Sequence, residues 1–145
     1  MPPRNRIYLD TNVIMDFTDS SRQRHLETAQ LFSFLIENDY NIFISEDTIS
    51  TLFYISKDKK KMLQFLEIIQ EEWTISTFGK DVIKNAIELS MNSGLDLEDL
   101  LQCLCAKENG CEVLLTNDIK FLDCAVKRMS VDTFLATRRE DEYKI

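Results

Sequence analysis

Five short apolar runs punctuate this chain, at about residues 6–10, 41–45, 73–77, 112–116 and, more weakly, 126–131. Each has the length and apolar content of a buried strand. Between them the apolar positions recur every third or fourth residue, as on one face of a helix. That spacing predicts helices at Thr11–Thr18, His25–Asn38, Glu46–Lys57, Lys59–Glu72, Lys80–Ser93, Leu97–Asn109 and Ile119–Cys124, with a last one near Asp132–Thr137. Strands separated by helices argue for an α/β fold with a central parallel sheet of four to five strands, covered on both faces. The first run is the most apolar and is expected at the middle of the sheet.

The helix from Leu97 illustrates the packing expected. Leu97, Leu100, Leu101 and Leu104 form one apolar stripe, while Asp96, Asp99, Cys103 and Ala106 share another side. Glu98 is expected to project away from both aspartates. Trp73, Phe78 and Tyr54 read as core.

Composition narrows the class. At 145 residues and 44% hydrophobic, with three Gly and two Pro, the chain reads as one domain, 1–145, with a full core and no long linker. No apolar run has the length to cross a bilayer, and no apolar signal core follows Met1–Arg6. The expectation is a soluble cytoplasmic protein with no membrane partner. Cys103, Cys105, Cys111 and Cys124 lack the spacing of a zinc site and read as small buried thiols kept reduced. The net charge of −8 argues against binding nucleic acid by bulk electrostatics. It leaves open a phosphate chemistry bridged by metal ions, or a basic protein partner.

The candidate chemistry lies where strands end. Arg6-Ile7-Tyr8-Leu9 stops at Asp10, at the mouth of the sheet where open α/β folds place their chemistry. Asp118 follows the fourth run, in Thr116-Asn117-Asp118. Asp96 and Asp99 open the helix before that run, one turn apart. Singly, each has a plain structural explanation: Asp10 and Asp96 as helix caps, Asp118 as a turn residue. Together they imply a cluster of like charges. Two such charges 4 Å apart cost ~4 kcal/mol in a protein-like dielectric. A divalent cation with hard oxygen ligands, Mg²⁺ or Mn²⁺, would offset that cost. It would also support phosphodiester hydrolysis without a catalytic Ser, Cys or His.

The strand-Asp10-Thr11-Asn12 opening, the Asp96-Leu97-Glu98-Asp99 helix start and the Thr116-Asn117-Asp118-x-x-Phe121 close resemble a PIN domain, in order and spacing over nearly the whole chain. The resemblance implies a three-layer α/β/α sandwich and a Mg²⁺-dependent endoribonuclease acting on single-stranded RNA. It extends to the VapC-like toxins of toxin–antitoxin pairs. By motif, the catalytic and metal-binding acids fall on Asp10, Asp99 and Asp118, with Asp96 as a further ligand or a partner to one. Thr11, Asn12, Thr116 and Asn117 would support them, and Thr51 is expected to point inward beside them without bringing charge. Many relatives carry a Glu on the helix after the second strand; Thr51 stands at that position here, which implies weaker metal binding and puts a second metal in doubt. Glu46 and Asp47, a turn earlier, are expected to face solvent.

Arg22, Arg24, Lys59 and Lys60 are candidate RNA contacts, against the plainer reading of a solvated charged surface. Leu31, Phe32, Phe34, Leu35 and Ile36 make a helix apolar on more than one side, suiting either a homodimer or antitoxin face or packing on the sheet. Two rival functions stay open. One is a PIN-fold binding module with weak or no nuclease activity. The other is a phosphoryl-transfer receiver or phosphatase, for which no lysine stands directly after the fourth run.

Overall fold

Strand β1 (Arg6–Leu9) lies at the centre of a five-stranded sheet in the computed structural model of the chain, which describes residues 5–118, 124 and 126–143, the side chains of 140–143 excepted. On one side β1 pairs with β2 (Asn41–Ser45), which pairs with β3 (Thr74–Ser76). On the other it pairs with β4 (Val113–Leu115), which pairs with β5 (Lys127–Met129). All four pairings are parallel and the order is β3-β2-β1-β4-β5. The expected parallel sheet and central first strand are therefore present.

The helices are α1 (Thr11–Thr18), α2 (His25–Glu37), α3 (Glu46–Ile55), α4 (Lys59–Glu72), α5 (Gly79–Ser93), α6 (Leu97–Glu108) and α7 (Val131–Tyr143). Most match the periodicity within two residues; α7 runs several residues past the expected Thr137. The helix expected at Ile119–Cys124 falls largely outside the described residues. Local chemistry sets several ends. Ser45 accepts from the Thr48 N–H at the start of α3, Asp58 from the Lys61 N–H at the start of α4, and Gly94 closes α5 at φ +74°.

Side-chain alternation divides the core into two layers. Ile7, Leu9, Ile42, Ile44, Val113 and Leu115 face one way and pack with α1, α2 and α7. Tyr8, Phe43 and Leu114 face the other and pack with Cys103, Cys105 and Ala106 of α6. The small residues of α6 lie on the sheet: Cys103, Cys105 and Ala106 are buried against Tyr8, Phe43 and Leu114, while of the leucine stripe Leu100 is buried and Leu97 stays 41% exposed. Short side chains let the helix approach the strands closely. Of the aromatic residues read as core, Trp73 stacks on Phe32 at 5.7 Å and Phe78 packs against the α6 layer. Tyr54 does not: it is 83% exposed on the outer side of α3.

The cysteines also depart from expectation. Cys105 and Cys111 are free and buried, but the fold brings Cys103 to Cys124 and joins them as a disulfide, with Cα atoms 6.3 Å apart. Pairing across 21 residues depends on tertiary placement, which spacing alone does not reveal. Among the described residues no helix is long and apolar enough to cross a membrane. In α2, Leu31, Phe32 and Leu35 are buried in the core and only Leu26 and Ile36 project outward. Sheet packing thus accounts for most of its apolar surface.

Candidate active site

At the C-terminal edge of the sheet, β1 delivers Asp10 directly into α1, and the backbone is pinned there by the Asp10 N–H donating to the Leu115 carbonyl at 3.0 Å. Asp10 occupies the N-cap position of α1, yet its side chain makes no capping bond. Its Oδ2 instead accepts from the Thr116 hydroxyl at 2.8 Å, and the same hydroxyl accepts from the Asp118 N–H at 3.1 Å. Thr116 is buried. Thr116 therefore holds the acid of β1 and the acid after β4 in one hydrogen-bonded unit. The capping explanation for Asp10 fails on this geometry.

Thr11 and Asn12 begin α1 beside it; Thr11 contributes its backbone N–H toward the Asp10 carboxylate, and Asn12 is exposed. Asn117 turns away from the acids, its Oδ1 accepting from the Val131 N–H at 3.1 Å and so anchoring the start of α7.

The N-terminal turn of α6 overlooks the same mouth. Asp96 caps the helix, its Oδ1 accepting from the Asp99 N–H at 3.0 Å. That is the plain structural role, and it occupies one of its oxygens. Asp99 is half-buried, and desolvation followed by the charges of Asp96, Asp10, Asp118 and Glu98 pushes its carboxyl up to about 6. Asp10 is also raised, chiefly by burial and then by Asp118 and Asp16, with the Thr116 and Thr11 hydrogen bonds opposing. Glu98 is exposed, and burial, then the charges of Asp47, Asp96 and Asp10, raise its carboxyl. Helices α1, α3, α6 and α7 all start at this edge, so their positive dipole ends oppose the crowding of anions.

Toward β2 the mouth is polar but nearly uncharged. Ser45 caps α3, and its hydroxyl lies 3.1 Å from that of Thr48. Buried Gln102 of α6 accepts from the hydroxyls of Tyr8 and, at 3.2 Å, Ser45, while its Nε2 reaches Asp47 Oδ2 at 3.5 Å. Thr51 is half-buried, but its hydroxyl donates to the Asp47 carbonyl of its own helix at 3.0 Å and adds nothing to the mouth. Asp47, expected simply to face solvent, is exposed yet borders the acids through Gln102 and Glu98. Gln102 and Asp47 border the candidate site through their hydrogen bond, and sequence reasoning did not single them out for it. A one-turn spacing from Glu98 to Gln102 was the available signal.

The cationic candidates lie elsewhere. Helix α3 leads away from the mouth, and its ten residues span about 15 Å. Lys59, beyond that far end, donates to the Phe53 and Tyr54 carbonyls at 2.5 and 2.8 Å. It caps α3, and the exposed Lys60 adjoins it. Arg22, past the end of α1, pairs with buried Asp16 at 2.8 Å, and Arg24 lies 3.8 Å from Glu27. These placements do not gather Arg22, Arg24, Lys59 and Lys60 around the acids. A cavity of about 440 Å³ opens at this opposite end, between Phe17, Asp19, His25, Lys57, Asp58 and Lys61, and none of Asp10, Asp99 and Asp118 lines it.

In kind, the donors fit a hard divalent cation: carboxylate oxygens with no thiolate or imidazole among them. In position, no three His, Cys, Asp or Glu groups among the described residues are arranged to hold an ion. Asp96 is turned back to its own helix, and Asp10 to Thr116. The mouth is thus an all-oxygen acidic site whose ligand geometry is incomplete in this arrangement.

The PIN domain family matches residues 7–127. The chain is 35% identical over 133 residues to ribonuclease VapC1 of Aquifex aeolicus, covering 89% of this chain and 92% of that protein. Among solved structures it is similar to a toxin–antitoxin complex from Klebsiella pneumoniae, with a TM-score of 0.65 and 20% identity over 86% of this chain and 97% of that one. It is also similar to VapC20 of Mycobacterium tuberculosis, a toxin that cleaves the sarcin–ricin loop, with a TM-score of 0.66 and 13% identity over 79% and 92% of the two chains.

Proposed function

The chain belongs to the PIN-domain family, and from that premise we propose that it is a metal-dependent endoribonuclease acting on single-stranded RNA, the toxin of a toxin–antitoxin pair. The observation that carries this reading is the Asp10–Thr116–Asp118 hydrogen-bonded unit, with Asp99 close enough for the charges of Asp10 and Asp118 to raise its carboxyl. The named activity of the Aquifex relative, at 35% identity over most of both chains, supports it.

Asp10, Asp99 and Asp118 would hold Mg²⁺ or Mn²⁺, which when bound supplies charge neutralisation for the phosphodiester and activation of water. The chain's own contributions are separable. Thr116 fixes the Asp10 carboxylate through Oδ2. Asp99, at about 6, gives up its proton readily near neutrality when positive charge approaches. The converging helix starts favour the phosphate backbone over a neutral ligand. The net charge of −8 suits a basic protein partner, in line with a cognate antitoxin, and the outward Leu26 and Ile36 of α2 are the apolar surface a homodimer would use.

The rival reading, a PIN-fold binding module, draws on Thr51 and on the incomplete ligand geometry. Cleavage of single-stranded RNA by the full chain with Mg²⁺ or Mn²⁺ separates them. Wild type should cut, EDTA should stop it, and Asp10→Asn should lower the rate at least about a hundredfold. Equal cutting by wild type and Asp10→Asn contradicts the proposal.

A further inference from the structure

Gln102 is 7% exposed and sits on the face of α6 that is otherwise cysteine and alanine. Burying a primary amide is costly unless its oxygen and nitrogen find partners, so the partners indicate what the residue does. Its oxygen accepts from Tyr8 and Ser45, and its nitrogen reaches Asp47 Oδ2 at 3.5 Å. The reverse orientation would set the amide oxygen against the Asp47 carboxylate, so the amide has one favoured orientation. Burial pushes the Tyr8 phenol far up and keeps it a neutral donor. One side chain thereby joins β1, the end of β2, the start of α3 and the first turns of α6.

The positions of these partners give the network its reach. Tyr8 lies two residues before Asp10, on the same face of β1. Asp99 and Glu98 precede Gln102 by three and four residues, one turn nearer the mouth. We propose that Gln102 is a positioning residue of the candidate nuclease site: its amide sets Asp99 opposite Asp10 and turns the Asp47 carboxylate to the mouth, where Thr51 brings no charge. A leucine would fill the same volume, so packing alone does not call for glutamine. This role rests on the nuclease reading above.

The test titrates Mn²⁺ alone into the full chain by calorimetry, for wild type, Gln102→Leu, Asp47→Asn and the double variant, with RNA cleavage giving kcat and KM. Gln102→Leu should weaken Mn²⁺ binding about tenfold and lower kcat, with KM for RNA unchanged within about twofold. Asp47→Asn should weaken binding less. The double variant should bind about as Gln102→Leu does, because part of the amide's effect passes through that carboxylate. A glutamine that merely supported the fold would lower the melting temperature and leave Mn²⁺ affinity as it was. Single variants that bind Mn²⁺ like wild type overturn the proposal, and so do losses that add in the double variant. If Gln102→Leu does not fold, Asp47→Asn decides, since affinity equal to wild type there is also contrary. A wild type that binds no Mn²⁺ removes the nuclease reading and this role with it, an outcome distinct from equal binding by all variants.

Discussion

The two halves of the mouth are built alike and charged differently. Between β1 and β4, a buried threonine, Thr116, ties Asp10 to the backbone of Asp118. Between β1 and β2, a buried serine and glutamine, Ser45 and Gln102, tie Tyr8 to Asp47. Both halves use a neutral hydrogen-bonding residue under the rim to aim what lies on it. The first binds a carboxylate, that of Asp10, directly; the second has the uncharged Thr51 on α3 and keeps its carboxylate, Asp47, at the outer edge. The difference teaches that the groups buried beneath the β2 side are neutral, while on the β4 side a carboxylate itself enters the hydrogen-bonded network.

Removing each hydroxyl in turn breaks or sharpens that contrast. Thr116→Val keeps the shape but leaves Asp10 and the Asp118 N–H without a shared partner. It should cut the cleavage rate by roughly ten- to a hundredfold and lower stability by about 1 kcal/mol in denaturant unfolding. Ser45→Ala should cost similar stability through the lost cap, but slow cleavage by less than about fivefold. Equal kinetic losses would abolish the distinction between the halves.

A smaller effect comes from the mutual repulsion of the acids. Asp99 rises from an ordinary 3.8 to about 6 through burial and its acidic neighbours. Between those values the folded chain binds more protons than the unfolded one, so this group's contribution to stability falls as pH rises from about 4 to about 6. In EDTA, Asp99→Asn should gain melting temperature relative to wild type over that interval, by roughly one to three degrees once solvent screening is allowed for. A gap that shrinks with rising pH would show that the carboxyl is not raised.

The acidic half was readable from sequence because each of its members sits at a boundary that periodicity marks. Asp10 ends a strand, Asp118 follows one, and Asp96 and Asp99 open a helix. Gln102 was not readable in this way. A single amide on a half-polar helix looks like surface until Tyr8 and Ser45 are brought beneath it from other strands. The cations lie apart from the acids for a related reason. Lys59 and Lys60 are near the mouth in sequence, but α3 carries the chain to the other end before they occur, where Lys59 caps the helix it follows. Arg22 was drawn back onto Asp16.

The claim on which all of this depends is that Asp10, Asp99 and Asp118 form one cation site. Electron paramagnetic resonance of Mn²⁺ titrated into wild type, Asp99→Asn and Asp118→Asn tests it without any need for catalysis. Wild type should bind Mn²⁺ with its free-ion signal quenched, and each variant should weaken that binding at least about tenfold. Undiminished Mn²⁺ binding in both variants would contradict the account.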